Sequence, residues 1–193
     1  MNRLKVRTFG FATAIVALSG LAMAQDQSQG LKLMAGNSEL VHPLNSKSAA
    51  QGQAVTVKLT DSIKTPEGVE LPRGTELIGR VDEVKASDKK GPSTLVLTFN
   101  QAHLKDGKTI AIKATLAGFA PAGGVEELPT AVDPKGTFDQ LADGATGVKL
   151  HSAVQDTTSG TLTNEHSNIN FGAGTQFLVA VGVQSAQASA AAE

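Results

Sequence analysis

Between Ala54 and Leu116 the chain repeatedly alternates apolar and polar residues, and this period of two constrains the fold more than any other feature. In AVTVKLT, Val55, Val57 and Leu59 fall on one side and Thr56, Lys58 and Thr60 on the other. In STLVLTF the apolar set is Leu95, Leu97 and Phe99; in TIAIKATL it is Ile110, Ile112, Ala114 and Leu116. Side chains that alternate in this way belong to strands with one buried face, and no helical spacing competes with the pattern here. The connections are short. Thr65 to Gly68 (TPEG) reads as a turn, with Pro66 fixing φ and Gly68 free to take a positive one. Asp88 to Pro92 is a charged Gly-Pro turn, and Asp106-Gly107 is a hairpin signal.

Inside that meander, LPRGTELIGRVDEV (Leu71 to Val84) breaks the simple rule. Pro72 cannot donate to a ladder, so it marks a strand end. Gly74 supplies a positive φ after it. Thr75 to Val84 then reads as a long strand with Leu77, Gly79 and Val81 on one face and Ile78, Arg80, Asp82 and Val84 on the other. A central glycine weakens a flat strand, but it suits a sharp bend, a bulge or a close backbone approach. Tight curvature is what a small closed barrel demands. The expected fold is therefore all-β: a small, mostly antiparallel, curved barrel, with a two-sheet sandwich as the alternative.

The flanks are less regular. Residues 25–38 are polar and aperiodic and are expected to form a loose arm, with a short strand over Glu39 to Leu44. Gly118 to Thr146 holds Pro121, Gly123-Gly124, Pro129, Pro134 and Gly136, and reads as one long loop in which Thr137 to Leu141 has room for a helical turn. Regular structure resumes at Gly147 to Val154. SGTLTNEHSNINFGAGTQFLVAVGV reads as a closing hairpin, with Phe177, Val179, Val181 and Val183 alternating in its last strand. A single β domain over residues 39–183 and a disordered low-complexity tail over 184–193 complete the expected organisation.

The N-terminus points to export. Arg3, Lys5 and Arg7 precede the apolar run Phe9 to Leu21, then Ala22-Met23-Ala24 offers small residues at −3 and −1. That is the pattern of a signal peptide cut after Ala24. The apolar run is short of the about 20 residues a membrane span needs, so the mature form is not expected to span a membrane and should be periplasmic or secreted. Without residues 1–24 the chain has 14 basic and 18 acidic residues, a formal charge of −4, and no basic block. Nucleic acid is an unsuitable partner for such a surface.

The absence of cysteine removes disulfides, thiol catalysis and Cys-ligated metals. Core burial must hold the domain, and a chain of this size buries roughly 70% of its unfolded surface. There is no Trp or Tyr, and only Phe99, Phe119, Phe138, Phe171 and Phe177 remain after processing. Flat platforms for sugars, stacking surfaces for bases and the aromatic girdles of membrane barrels all lack their usual residues.

No pattern carries catalytic chemistry. His42, His103, His151 and His166 are scattered and lack the spacing that puts two ligands on one face. Ser87 to Lys90 spells S-x-x-K, but in a polar turn and without companion motifs. Glu126-Glu127 and Asp82-Glu83 read as solvated carboxylates, and Arg80 with Asp82 as a local ion pair. No catalytic, cofactor-binding or metal residue is assigned, and no cofactor and no enzymatic activity are expected.

The order LNSKSAAQGQAVTVKLTDSI, VELPRGTELIGRVDEV, LVLTFNQAHLKDGKTIAIKATL and FGAGTQFLVAV resembles the periplasmic β-barrel of TrbI-type proteins, the core-channel family of conjugation and type IV secretion. It also resembles small secreted bacterial β-barrel proteins of uncharacterised function. The resemblance rests on Leu71, Pro72, Gly74, Thr75, Leu77, Ile78, Gly79 and Val81, and on Leu104, Asp106, Gly107 and Ile110. It implies a barrel and a place in the cell envelope. A membrane-crossing helical hairpin is not implied, because Gly118 to Thr146 is too polar and too rich in Pro and Gly. The expected function is that of an exported, non-enzymatic envelope module that scaffolds or binds partner proteins, with the long loop carrying contacts. The alternative is a barrel that holds a small apolar ligand.

Overall fold

Fourteen strands and no helix make up the described residues of this computed structural model, which are 33–65, 68–120, 131–132, 136–141 and 147–184. In chain order the strands are β1 (Leu33–Leu40), β2 (Leu44–Asn45), β3 (Ala54–Leu59), β4 (Ile63–Lys64), β5 (Glu70–Leu71), β6 (Glu76–Lys85) and β7 (Ser93–His103). There follow β8 (Thr109–Ala120), β9 (Ala131–Val132), β10 (Thr137–Leu141), β11 (Val148–Ala153), β12 (Gly160–Asn164), β13 (Asn170–Phe171) and β14 (Gln176–Val183). The main sheet runs β7–β6–β3–β1–β14–β8, and β8 returns to β7 by pairing Thr109, Ile110 and Ala111 with His103, Ala102 and Gln101. The sheet thus closes into a six-stranded antiparallel barrel, as the curvature argument expects, and the sandwich alternative falls.

The alternating residues fill this barrel. Val57, Leu59, Leu77, Val81, Leu95, Leu97, Phe99, Ile112, Leu116, Phe177, Val179 and Val181 are buried in one cluster. At about 1.5–3 kcal/mol for each fully buried aliphatic or aromatic side chain, this cluster is the main source of stability. Phe119, Phe171 and Phe177 form a ring trio within it, with centroids 5.4, 5.5 and 6.4 Å apart and two of the three contacts edge-on.

Gly79 sits where the barrel bends. The β6–β7 register slips between Ile78 and Gly79, because Ile78 pairs with Gln101 and Gly79 with Phe99, leaving Asn100 as an extra residue in β7. A Cβ on Gly79 would lie 2.6 Å from Phe99 Cδ1, so only glycine lets the ring lie across the strand. A second slip between Val81 and Glu83 changes the phase of β6. Val84 consequently packs against the core, and not on the outer face as simple alternation predicts.

Gly74 and Gly107 have φ of 85° and 87°, as their turns require. At the expected turn after Thr65, Gly68 N donates to Thr65 O and Gly68 has φ 82°, while Pro66 and Glu67 lie outside the described residues.

The flanks differ from their sequence reading. Residues 33–38 are not a loose arm: they belong to β1, which is wedged between β3 and β14. Glu39 and Leu40 end that strand, and Leu44 begins a separate one, paired with β13. Gly118 to Thr146 is not one loop. Gly118, Phe119 and Ala120 finish β8, Ala131–Val132 pairs with β1, and Thr137–Leu141 is a strand paired with β11, not a helical turn. The C-terminal stretch is not a hairpin either, since β12 lies between β7 and β11 while β14 lies between β1 and β8. The signal peptide, its cleavage site and residues 185–193 of the tail lie outside the described residues.

Candidate functional site

The barrel forks at β7. One edge of β7 pairs with β6 throughout. The other edge is shared, Ser93–Leu97 taking β12 and Gln101–His103 taking β8. Between these stretches β7 and β8 diverge, and Ser159 fills the gap. Its amide donates to Leu97 O (2.7 Å), its carbonyl accepts from Leu116 N (2.7 Å), and its hydroxyl accepts from Phe99 N (2.8 Å) while donating to Ala114 O. Two diverging strands leave an orphan amide and an orphan carbonyl, and a hydroxyl is the smallest group that satisfies both. Ser152 assists by donating its hydroxyl to Leu116 O.

From the fork, β12, β11 and β10 extend as an arm over the outside of the barrel. Phe138 of β10 and Val154 after β11 pack on Leu33, Ala35 and Ala180, forming a second, smaller core. Beside the fork lies an open cleft of about 280 Å³, lined by Asn100, Ile112, Lys113, Gln155, Asp156 and Thr157 among others. Its lining mixes apolar side chains (Phe99, Ile112, Ala114) with amides, hydroxyls and charges of both signs.

The residues singled out in the sequence do not converge. His151 meets Asp139 across β10 and β11 (Nδ1 to Oδ1, 2.6 Å) on an exposed face, a pairing that depends on the unexpected strand β10. His166 stands 3.9 Å from Glu165, whose carboxyl is held below the usual glutamate range chiefly by a hydrogen bond from Lys149. His103 contacts Gln101 (3.3 Å), and His42 follows β1. Among the described residues no three His, Asp or Glu side chains cluster as a metal site would need.

Ser87 of the S-x-x-K stretch donates its hydroxyl to Gly91 O (2.6 Å), closing a turn in which Lys89 and Lys90 have φ of 45° and 74°. That hydroxyl stabilises a turn. The expected Arg80–Asp82 ion pair forms (2.7 Å), and Thr98 also donates to Asp82. Glu126-Glu127 lies outside the described residues. Ser159 escaped the sequence reading because a TTSG stretch looks like a turn; its role arises only when distant strands meet.

No family model matches the chain, and no curated protein matches it. Among solved structures it is similar to ComB10 of the Com type IV secretion system of Helicobacter pylori, at 12% identity. That likeness covers 78% of this chain and 85% of the other, with a TM-score of 0.37. No helix among the described residues is long and apolar enough to cross a membrane.

Proposed function

We propose that this chain is an exported, non-enzymatic protein of the cell envelope whose barrel serves as an interaction or scaffold module. The filled barrel carries the reading. Phe99, Phe177, Leu77, Leu95, Leu97, Ile112 and Leu116 are each at most 2% exposed, so the residues that would line a carrier's cavity pack on one another. Small barrels filled by their own side chains leave recognition to their outer surface and loops. Export rests on the N-terminal pattern Arg3 to Ala24.

Two measurements test this. N-terminal sequencing of the processed protein should begin at Gln25, outside the cytoplasm; intact protein starting at Met1 in the inner-membrane fraction would refute export. For the interaction role, residues 121–130 are replaced by a short Gly-Ser linker. The variant should keep its urea midpoint and lose a partner that the unaltered protein captures from the envelope fraction. Retention of every partner moves the interaction to the barrel wall. A native mass spectrum showing a co-purified apolar molecule would favour the carrier reading instead.

A further inference from the structure

At one end of the barrel two turns meet. The turn Pro72-Arg73-Gly74-Thr75 is fastened to β3, with Gly74 N donating to Leu59 O (2.8 Å) and Leu59 N to Thr75 O (2.9 Å). Thr75 closes it by donating its hydroxyl to Pro72 O (2.7 Å). The β7–β8 hairpin turn, closed by Leu104 N to Lys108 O (2.9 Å), presents Lys105. Between the turns lies an open cleft of about 400 Å³ lined by Glu39, Lys58, Thr60, Arg73, Gly74 and Lys105 among others.

The cations divide into two groups. Lys58 is bound to Glu39 (2.8 Å), and Lys108 to Asp106 (3.1 Å). Asp106 is itself held below the usual aspartate range, first by the Lys108 amide and then by its ammonium. Arg73 and Lys105 have no carboxylate within 4.0 Å among the described residues. Yet Lys105 is directed to the first turn: a Cβ on Gly74 would lie 2.5 Å from Lys105 Cε and 2.8 Å from its Nζ. Gly74 is required here for its positive φ, and the flexible Lys105 tip lies across the space a side chain would take. Arg73 and Lys105 thus face the cleft without an ion-pair partner among the described residues, while the carboxylate that lines it, Glu39, is engaged by Lys58.

We infer that this cleft binds a carboxylate, held by the Arg73 guanidinium and the Lys105 ammonium. A guanidinium fork matches the planar carboxylate geometry, and the ammonium adds a point charge. The surroundings select the ligand's charge. Glu39 and Glu76 flank Lys58 in the adjoining strands, and Asp61 lies next to Thr60. Three nearby carboxylates repel a phosphate dianion more than a singly charged carboxylate. The carboxylate can come from a free small acid or from an acidic peptide segment. This inference stands on the cleft alone and does not require the scaffold reading.

The test is titration calorimetry on the processed protein with acetate, with a peptide carrying a single glutamate and with inorganic phosphate. Saturable binding of the peptide alone identifies a protein segment; binding of both carboxylates identifies a small acid. In either case Arg73→Gln and Lys105→Gln should each weaken binding about tenfold, the worth of one charge-assisted hydrogen bond. Lys85→Gln, at the opposite end of β6 from Glu76, should leave it unchanged. Both target residues are exposed, and circular dichroism confirms that each variant is folded. No saturable carboxylate binding, equal affinity for phosphate, or unchanged affinity in both variants would overturn the inference.

Discussion

Strand β14 is buried on both faces, and the two faces are built by different rules. Phe177, Val179, Val181 and Val183 point into the barrel, where large and β-branched side chains fill volume. On the outside, Ala180 lies in register between Ala35 of β1 and Thr115 of β8, a row of small residues on which Phe138 and Val154 rest. The inside is a core made by closing one sheet on itself. The outside is a seam made by laying a second layer on that sheet. The first needs bulk, whereas the second needs an absence of bulk so that the arm can approach. Losing a side chain inside should therefore unfold the protein, and losing one outside should free only the arm.

Phe177→Ala tests the inside most severely. Phe177 is 1% exposed and touches two other rings, so its removal should cost about 3–5 kcal/mol in urea unfolding. Gly79→Val probes the same core by overfilling it. The new Cβ would meet Phe99 and the Thr98 carbonyl, and the expected loss is about 1–3 kcal/mol. An unchanged midpoint would mean that β6 can move away from β7.

The seam should respond less, and locally. Phe138 is half-buried, so Phe138→Ala should cost about 1–2 kcal/mol, part of the worth of a fully buried ring. Hydrogen exchange should then speed up in β10 and β11 while β3 and β6 keep their protection. Equal loss in all four strands would make core and seam one cooperative unit and dissolve the distinction.

The smallest effect is the most pointed. Thr115 is fully buried on the seam, and its hydroxyl has no hydrogen-bond partner among the described residues. A buried polar group without a partner costs stability, so Thr115→Val should be neutral or stabilise by about 1 kcal/mol. A clear loss of thermal stability would show that the hydroxyl is used.

The same contrast explains what could be read in the sequence. The inside of the barrel was legible because period-two alternation reports one buried face directly, and Gly79 stood out as an interruption of it. Only the phase slip that turns Val84 inward escaped, since a bulge leaves no mark in composition. Strand β1 was hidden by its own contents. Gly36 faces Ile63, where a Cβ would come within 2.6 Å of Cγ1, and Ser38 is buried with its hydroxyl donating to Phe177 O (3.0 Å). Both residues look like loop until their partners are known. Strand β10 is too short for five residues to separate a strand from a helical turn, and although it pairs with the next strand, β11, Phe138 packs on the distant Leu33 and Ala180. The cationic cleft was half visible: Pro72 to Thr75 and Asp106-Gly107 were marked as turns, but nothing local brings Lys105 across Gly74.

One consequence of the closure concerns when this protein can fold. Met34 pairs with Val181, and β1 sits between β3 and β14, so the first described strand waits for the last one. The meander β6–β7–β8 can form early from neighbouring segments, whereas the ring gains its final contacts only by shutting a loop almost as long as the domain. Such distant pairings slow folding. A ribosome releasing this chain from its N-terminus would hold an open sheet until β14 emerged. Delayed closure would keep the chain open for the export proposed above.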